Sequence, residues 1–160
     1  MKNFDELIQQ LRHPRPYYRQ DAARSLGKLG DLRAVQPLIH TLQNDDDEFV
    51  RQAAAEALGN LGDPEAIPQL IQALNDTYWE VRKAAAQSLG NLGDPRAVQP
   101  LIRVLEIDDD SELRTAAAKS LGNLGDPRAV QPLIQALGDK NWYVRHAAAE
   151  VLGNLGDPEA

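Results

Sequence analysis

Residues 126–156 read DPRAVQPLIQALGDKNWYVRHAAAEVLGNLG, and this one stretch carries two helices with their punctuation. In its first half Asp126 is a natural N-cap, Pro127 suits the first helical position, and Val130, Leu133, Ile134 and Leu137 recur at helical spacing. That half is helix A. Pro132 sits inside the pattern, as do Pro37 and Pro100 in earlier copies and Pro68 one position earlier, which predicts a short first turn and then a kink or restart. A polar connection leads to helix B, clearest in FVRQAAAEALGNLG at 49–62, where Val50, Ala54, Leu58 and Leu61 form an apolar stripe. Gly62 supplies the left-handed residue that ends it. Gly59 lies inside helix B, where glycine costs about 1 kcal/mol against alanine unless backbones must approach closely; close interhelix packing is the expected reason.

The stretch is one of several. LGxLGD recurs with its first glycine at Gly27, Gly59, Gly90, Gly122 and Gly153, in steps of 32, 31, 32 and 31 residues. The predicted units are 1–30, 31–62, 63–93, 94–125 and 126–156, with 157–160 opening a truncated sixth inside a single domain spanning 1–160. A hairpin of ~30 residues has no means of burying both apolar stripes against itself, so the units must stack on a continuous core. The expected fold is all-α, a right-handed α-solenoid of about five stacked helical hairpins.

Composition narrows the function. The chain has 42% hydrophobic residues, 5% aromatic, a net charge of −7 and a pI near 4.9. No helix carries the basic stripe that phosphate neutralisation requires, so nucleic acid is not an expected partner. Zero cysteines remove disulfides, thiolate metal sites and a cysteine nucleophile, and fit a reducing compartment. Asp5 and Glu6 interrupt any apolar signal core and no long apolar window exists, so neither secretion nor a membrane span is expected; the cytoplasm is the default location. No nucleophile stands beside a base, LGNLGD has the wrong glycine spacing for a phosphate loop, and His13, His40 and His146 lack partners at metal spacing. The expectation is no enzyme, no cofactor and no metal.

DPRAVxPLIxxL, a short acidic turn and VRxxAAxxLGxLG together resemble the HEAT-like repeats first named for phycobilisome lyases, and also the artificial helical-repeat scaffolds built from that consensus. The resemblance covers about Arg19 to Ala160. It implies a fold and leaves activity open, since such repeats serve bilin lyase subunits, phycobilisome factors, regulatory subunits and scaffolds. Unit one departs from the pattern with HPRPYYRQDAA, which suits an N-terminal cap. Near-identical LGNLGDP and DPRAVQPLI copies fit either recent duplication or consensus design.

Phasing helix B at 100° per residue from its core valine selects the opposite face. That face holds Tyr17, Gln20, Arg24 and Lys28 in unit one and Phe49, Gln52, Glu56 and Asn60 in unit two. Units three and four contribute Glu80, Lys83, Gln87 and Asn91, then Glu112, Thr115, Lys119 and Asn123; unit five adds Tyr143, His146, Glu150 and Asn154. The resemblance implies that helix B lines a concave surface, making these positions an inner groove about 40 Å long.

Two Trp, four Tyr and two Phe are the only aromatics, and all but Phe4 fall at the turn or at the start of helix B. Tyr17, Tyr18, Phe49, Tyr78, Trp79, Trp142 and Tyr143 therefore line one groove edge, as a hot-spot strip or as turn-plugging packing. Trp79 and Trp142 are the preferred contacts; Tyr18 replaces a core valine and is expected to be structural. Arg19, Arg51, Arg82, Arg114 and Arg145 form one row and Asp31, Asp63, Asp94 and Asp126 another, expected to pair as a ladder between units. Asp45 to Asp47 and Asp108 to Asp110 are expected to be solvated turns that hold the extra residue of the longer units; they lack calcium-loop spacing.

The expected function is a non-enzymatic scaffold binding a protein or peptide in the helix-B groove, with a bilin lyase subunit or phycobilisome-associated factor as the alternative. Apolar residues of the last unit, Val144, Ala148, Leu152, Leu155 and the row from Val130, also suggest self-association through an uncapped C-terminal face.

Overall fold

The computed structural model describes residues 3–156, and every regular element in that span is helical. The helices run in pairs: α1 (Phe4–Gln10) with α2 (Pro16–Leu29), α3 (Val35–Asn44) with α4 (Glu48–Leu61), and α5 (Ile67–Ala73) with α6 (Trp79–Leu92). They continue as α7 (Val98–Ile107) with α8 (Ser111–Leu124) and α9 (Val130–Ala136) with α10 (Trp142–Leu155). Odd numbers are helix A of each unit, even numbers helix B. The fold is an α-solenoid of stacked helical hairpins. The DPEA fragment expected to open a sixth unit lies outside the described residues.

Each helix A after the first starts in two steps. Asp31, Asp63, Asp94 and Asp126 cap a single 3₁₀ turn by accepting the backbone N–H two residues on, and the α-helix restarts at Val35, Ile67, Val98 or Val130. The internal prolines thus fall in the first α-turn, where a missing N–H removes no helical bond. Helix A then ends in one of two ways. In α5 the chain leaves through tight bonds, Leu74 N–H to Ile71 C=O, Asn75 to Gln72 and Asp76 to Ala73. In α3 and α7 the helix runs on for ten residues rather than seven. The additional residue of the 32-residue units is therefore wound into helix, not looped out as expected.

Helix B ends at Gly30, Gly62, Gly93 and Gly125, whose φ values of 62° to 73° are left-handed. Its interior glycines have the predicted role. A Cβ on Gly90 would lie 2.7 Å from Ser120 Cβ and 2.8 Å from Ser120 Cα, and one on Gly27 would lie 2.7 Å from Ala57 Cα. Buried Ser88 and Ser120 use this proximity to donate across the interface to the Ala55 and Ala86 carbonyls, at 2.9 and 2.8 Å.

Successive B helices pack extensively while successive A helices touch sparsely. The closer row lies on the inside of the curve, which puts α2, α4, α6, α8 and α10 along the inner wall. One core runs through the stack: Leu26, Leu38, Leu58, Leu70, Leu89, Leu101, Leu121 and Leu133 are wholly excluded from solvent. Burying each contributes about 1.5–3 kcal/mol relative to exposure.

The last unit corrects the expected apolar end. Val144 and Ala148 are wholly buried inside the stack. The residues left open are Ile134 of α9 and Leu137 just after it, at 45% and 42%, with Leu152 and Leu155 half-buried. At the other end Tyr18 is not a core residue. It is 37% exposed, packed against His13 and edge-on to Tyr17, because an aromatic ring is too large for the space that Val50, Val81 or Val144 fills completely.

Candidate protein-binding groove

Asp47, Asp110 and Asn141 cap helix B by accepting N–H groups of its first turn. The turn that feeds each cap is held by an arginine of the same helix. Arg114, whose side chain is only 5% exposed, donates through Nη1 to the Asp108 and Asp109 carbonyls at 2.8 and 3.1 Å. Through Nε and Nη2 it grips both oxygens of Asp139 in the next unit, at 2.8 and 2.9 Å. Arg19 does the same to Asp45, and Arg51 to Asp76. Arg82 reaches Asp108 only at 3.6 Å, and its Nε has no hydrogen-bond acceptor.

The ladder between units exists, but with other aspartates than expected. Asp31, Asp94 and Asp126 instead cap the 3₁₀ turns and pair locally with Arg33, Arg96 and Arg128. A single residue separates those partners, so the local pair forms without any help from stacking. Two of the four rungs, at Asp45 and Asp108, come from the turns expected to be merely solvated: Asp45 is only 8% exposed, while its neighbour Asp46 is 91% exposed.

Charge state follows from these contacts. The hydrogen bond from Arg114 holds the Asp139 carboxyl below the usual carboxylate range, with help from the Asn141 N–H and despite burial. Burial pushes Asp76 upward, yet the Arg51 hydrogen bond, the Tyr78 N–H and the charges of Arg51 and Arg82 together hold it low. On the surface, the Arg128 hydrogen bond and its backbone N–H draw Asp126 down to about 2.

Above the clamped turns stand the aromatics. Trp142 is 54% exposed and Tyr143 58%, with ring centroids 4.0 Å apart, and Trp142 also lies 6.0 Å from the His146 ring. Tyr17 and Phe49 are exposed as well, and Trp79 carries the Lys83 ammonium 5.3 Å above its ring. None of the aromatics at the start of helix B is buried as a turn plug would be.

On the inner wall, Lys83, Gln87, Glu112, Thr115, Lys119 and Tyr143 come together around one hollow of about 390 Å³, contributed by α6, α8 and α10. Lys83 donates to Glu112 at 2.7 Å, joining α6 to α8. Toward the N-terminus Gln52 donates to Glu56 along α4, and Gln20 and Arg24 lie on α2, outside the lining of this hollow. Glu80 is half-buried, and Glu150 and His146 are exposed on α10. The ion pair and the cation–π contact were not expected from phasing, which sorts residues by face but says nothing of their reach across helices.

Among the described residues no three His, Asp or Glu side chains converge as a metal ion would require, and no helix is long and apolar enough to cross a membrane.

The HEAT repeats family matches residues 4–89, 50–122, 67–139 and 105–160. The chain belongs to the HEAT repeat family. Among solved structures it is similar to the complex of CpcE and CpcF of phycocyanin lyase from Nostoc sp. PCC7120, with 30% identity and a TM-score of 0.87 over 99% of this chain and 67% of that one. An engineered protein is 25% identical, TM-score 0.68, over 97% of this chain and 80% of that one. A designed armadillo repeat protein in complex with the peptide (KR)4 shares the fold at 21% identity, TM-score 0.66, over 97% and 88% of the two chains. No curated protein matches the sequence.

Proposed function

We propose that this HEAT repeat chain is a non-enzymatic scaffold whose inner groove takes a segment of a partner polypeptide, anchored on the aromatic edge. The observation that carries the reading is the meeting of six groove residues from three successive B helices around one hollow, with Tyr143 among them stacked on the exposed Trp142. Large aromatic surface on a rigid element gives contact area at low entropic cost, and polar neighbours give direction. The similar phycocyanin lyase structure is itself a complex of two proteins, which supports a protein partner.

The test uses a displayed random-peptide library selected against the intact chain. Trp79→Ala/Trp142→Ala should weaken the selected peptides roughly tenfold or more per anchor. Selected peptides that bind the double variant as well as the parent would sink the groove reading.

The likeness to phycocyanin lyase also favours a second reading, a bilin lyase subunit or phycobilisome-associated factor. A tetrapyrrole propionate needs basic partners. In the groove Lys83 already pairs with Glu112, leaving Lys119 as the cation of the hollow, with Arg24 and Lys28 away on α2. A bilin titration followed by absorbance separates the two readings: a saturable spectral shift at micromolar chromophore supports the lyase branch, silence the scaffold.

A further inference from the structure

The aromatic edge is interrupted where the hollow lies. Trp79 is the first residue of α6 and Trp142 the first of α10, but the residue that opens α8 between them is Ser111. Ser111 lines the hollow together with Glu112, and α8 carries no aromatic residue to stand over it. The hollow is the space that a ring at the head of α8 would take.

What it presents is one free charge and a set of carboxamides. Lys83 and Glu112 neutralise each other at 2.7 Å. Among the described residues Lys119 makes no ion pair; it is exposed, and Gln87, Thr115 and Tyr143 beside it in the lining are uncharged. The side-chain amides of Gln87, Asn91 and Asn123 are exposed and make no hydrogen bond among the described residues. Aliphatic surface in the lining comes down to Ala116, which is 6% exposed. An amphipathic helix laid here would bring an apolar stripe to a wall with almost nothing to cover it, and its own backbone groups are already bonded. An extended chain brings unpaired N–H and C=O groups, and a carboxamide can both accept from the first and donate to the second.

We infer, on the reading that the groove takes a peptide, that its occupant is an extended segment with an apolar or aromatic residue for each tryptophan and a carboxylate between them for Lys119. Two steps of ~10 Å separate the heads of α6 and α10, and an extended chain advances ~3.3 Å per residue, which sets the two anchors about six residues apart. The carboxylate is single. A run of them would meet Glu56, Glu80 and Glu150 on the same wall of a chain whose net charge is −7. A lysine or arginine in its place would face Lys119 where the wall's own carboxylate, Glu112, is already taken.

The probes are the peptides that a displayed random library yields against the intact chain, synthesised and titrated by calorimetry. Their sequences should share two apolar or aromatic residues about six apart with one Asp or Glu between them. Lys119→Gln on the chain, or replacement of that acid by its amide in the peptide, should each weaken binding about fivefold, and the two together no further than either alone. Ser111→Trp, which puts a ring into the hollow, should weaken it roughly tenfold or more while the chain keeps its parent helicity. Transferred nuclear Overhauser effects should show the bound peptide extended. Peptides that need Trp79 and Trp142 but carry no acid between the anchors, that ignore Lys119→Gln or Ser111→Trp, or that are helical when bound would overturn this occupant and leave the groove standing. Peptides indifferent to Trp79→Ala/Trp142→Ala, or a library that yields no binder, would remove the groove itself and this occupant with it.

Discussion

Two glycines at the same place in the repeat should respond in opposite directions to alanine. Gly90→Ala puts a methyl 2.7 Å from both Cβ and Oγ of Ser120 and 2.8 Å from its Cα, and a backbone atom has no rotamer by which to move away. The α6 and α8 helices must separate. Overpacking of this kind costs about 1–3 kcal/mol. Separation also stretches the 2.8 Å bond from Ser120 Oγ to the Ala86 carbonyl, worth about 1 kcal/mol. Against these stands the gain of about 1 kcal/mol from replacing a helical glycine. The net expectation is a loss of about 1–3 kcal/mol, from the overpacking range plus the hydrogen bond less the propensity gain. Gly153→Ala meets nothing within 4 Å and keeps only the gain, so it should stabilise by about 0.5–1 kcal/mol. Urea unfolding of the full chain, followed by far-UV circular dichroism, measures both midpoints. If Gly90→Ala raised the midpoint as Gly153→Ala should, close approach of the B helices would not be the reason for the interior glycines.

Other consequences follow from the ladder and the edge. Arg114→Ala leaves Asp139 without its partner and should cost about 2–4 kcal/mol, whereas Arg82→Ala, which gives up a 3.6 Å pair, should cost visibly less, and Arg145→Ala least; equal losses in urea midpoints would remove the ladder from the stability of the stack. Acid should weaken the stack in a defined sense. Asp76 and Asp139 are depressed in the folded state, so their contribution is complete above the ordinary aspartate value of about 3.9 and disappears as pH falls through the lower folded values. Asp139→Asn should therefore destabilise at neutral pH and converge on the parent in strong acid, and parallel urea-midpoint curves down the whole pH range would contradict that assignment. Trp142→Ala removes a side chain that is 54% exposed and should shift the urea midpoint by less than about 0.5 kcal/mol, separating its role in peptide binding from any role in folding.

How far the amino-acid order can be read depends on the range of the interaction. Helix starts and stops are local: the N-capping aspartates, the prolines after them and the left-handed glycines each act within a turn, and they stand where the pattern put them. The glycine at the middle of helix B was legible for a different reason. Its helical cost demands a compensating contact, and repetition at a fixed step says that the contact is with the next unit. Pairing of charges was not legible. Two rows of aspartate recur with nearly the same period, and nothing in a period says which row a neighbouring arginine meets. The choice is made by geometry, because an aspartate two residues from Arg96 or Arg128 is already satisfied, while the turn aspartates arrive beside the preceding arginine only after the units stack. The signal available in the sequence was the invariant six residues from each turn aspartate to the arginine of its own helix B, Asp76 to Arg82 and Asp108 to Arg114, which marks one clamp repeated.

That clamp links stability to the groove. The arginine sits on helix B within three residues of the exposed ring, Trp79 before Arg82 and Trp142 before Arg145, so the residues that present the aromatic edge are the ones the ladder immobilises. A flexible turn carrying a tryptophan would lose entropy on binding and would fold the ring back on the core when free. Here the turn carbonyls are pinned by Nη1, Asn141 caps the helix that carries Trp142, and the ring has no buried place to go because Val81 and Val144 already fill the space beneath. The rungs are not uniform, and the edge should not be either: Arg51 and Arg114 each bond both carboxylate oxygens of their aspartates, while Arg82, the clamp under Trp79, has no acceptor for its Nε. Ordering on peptide binding should therefore be larger at Trp79 than at Tyr17, whose turn is held by Arg19 on Asp45 and Asp46. Hydrogen exchange of the turn amides with and without a selected peptide measures this, and equal protection gained at both turns would show that the clamp does not set the stiffness of the edge.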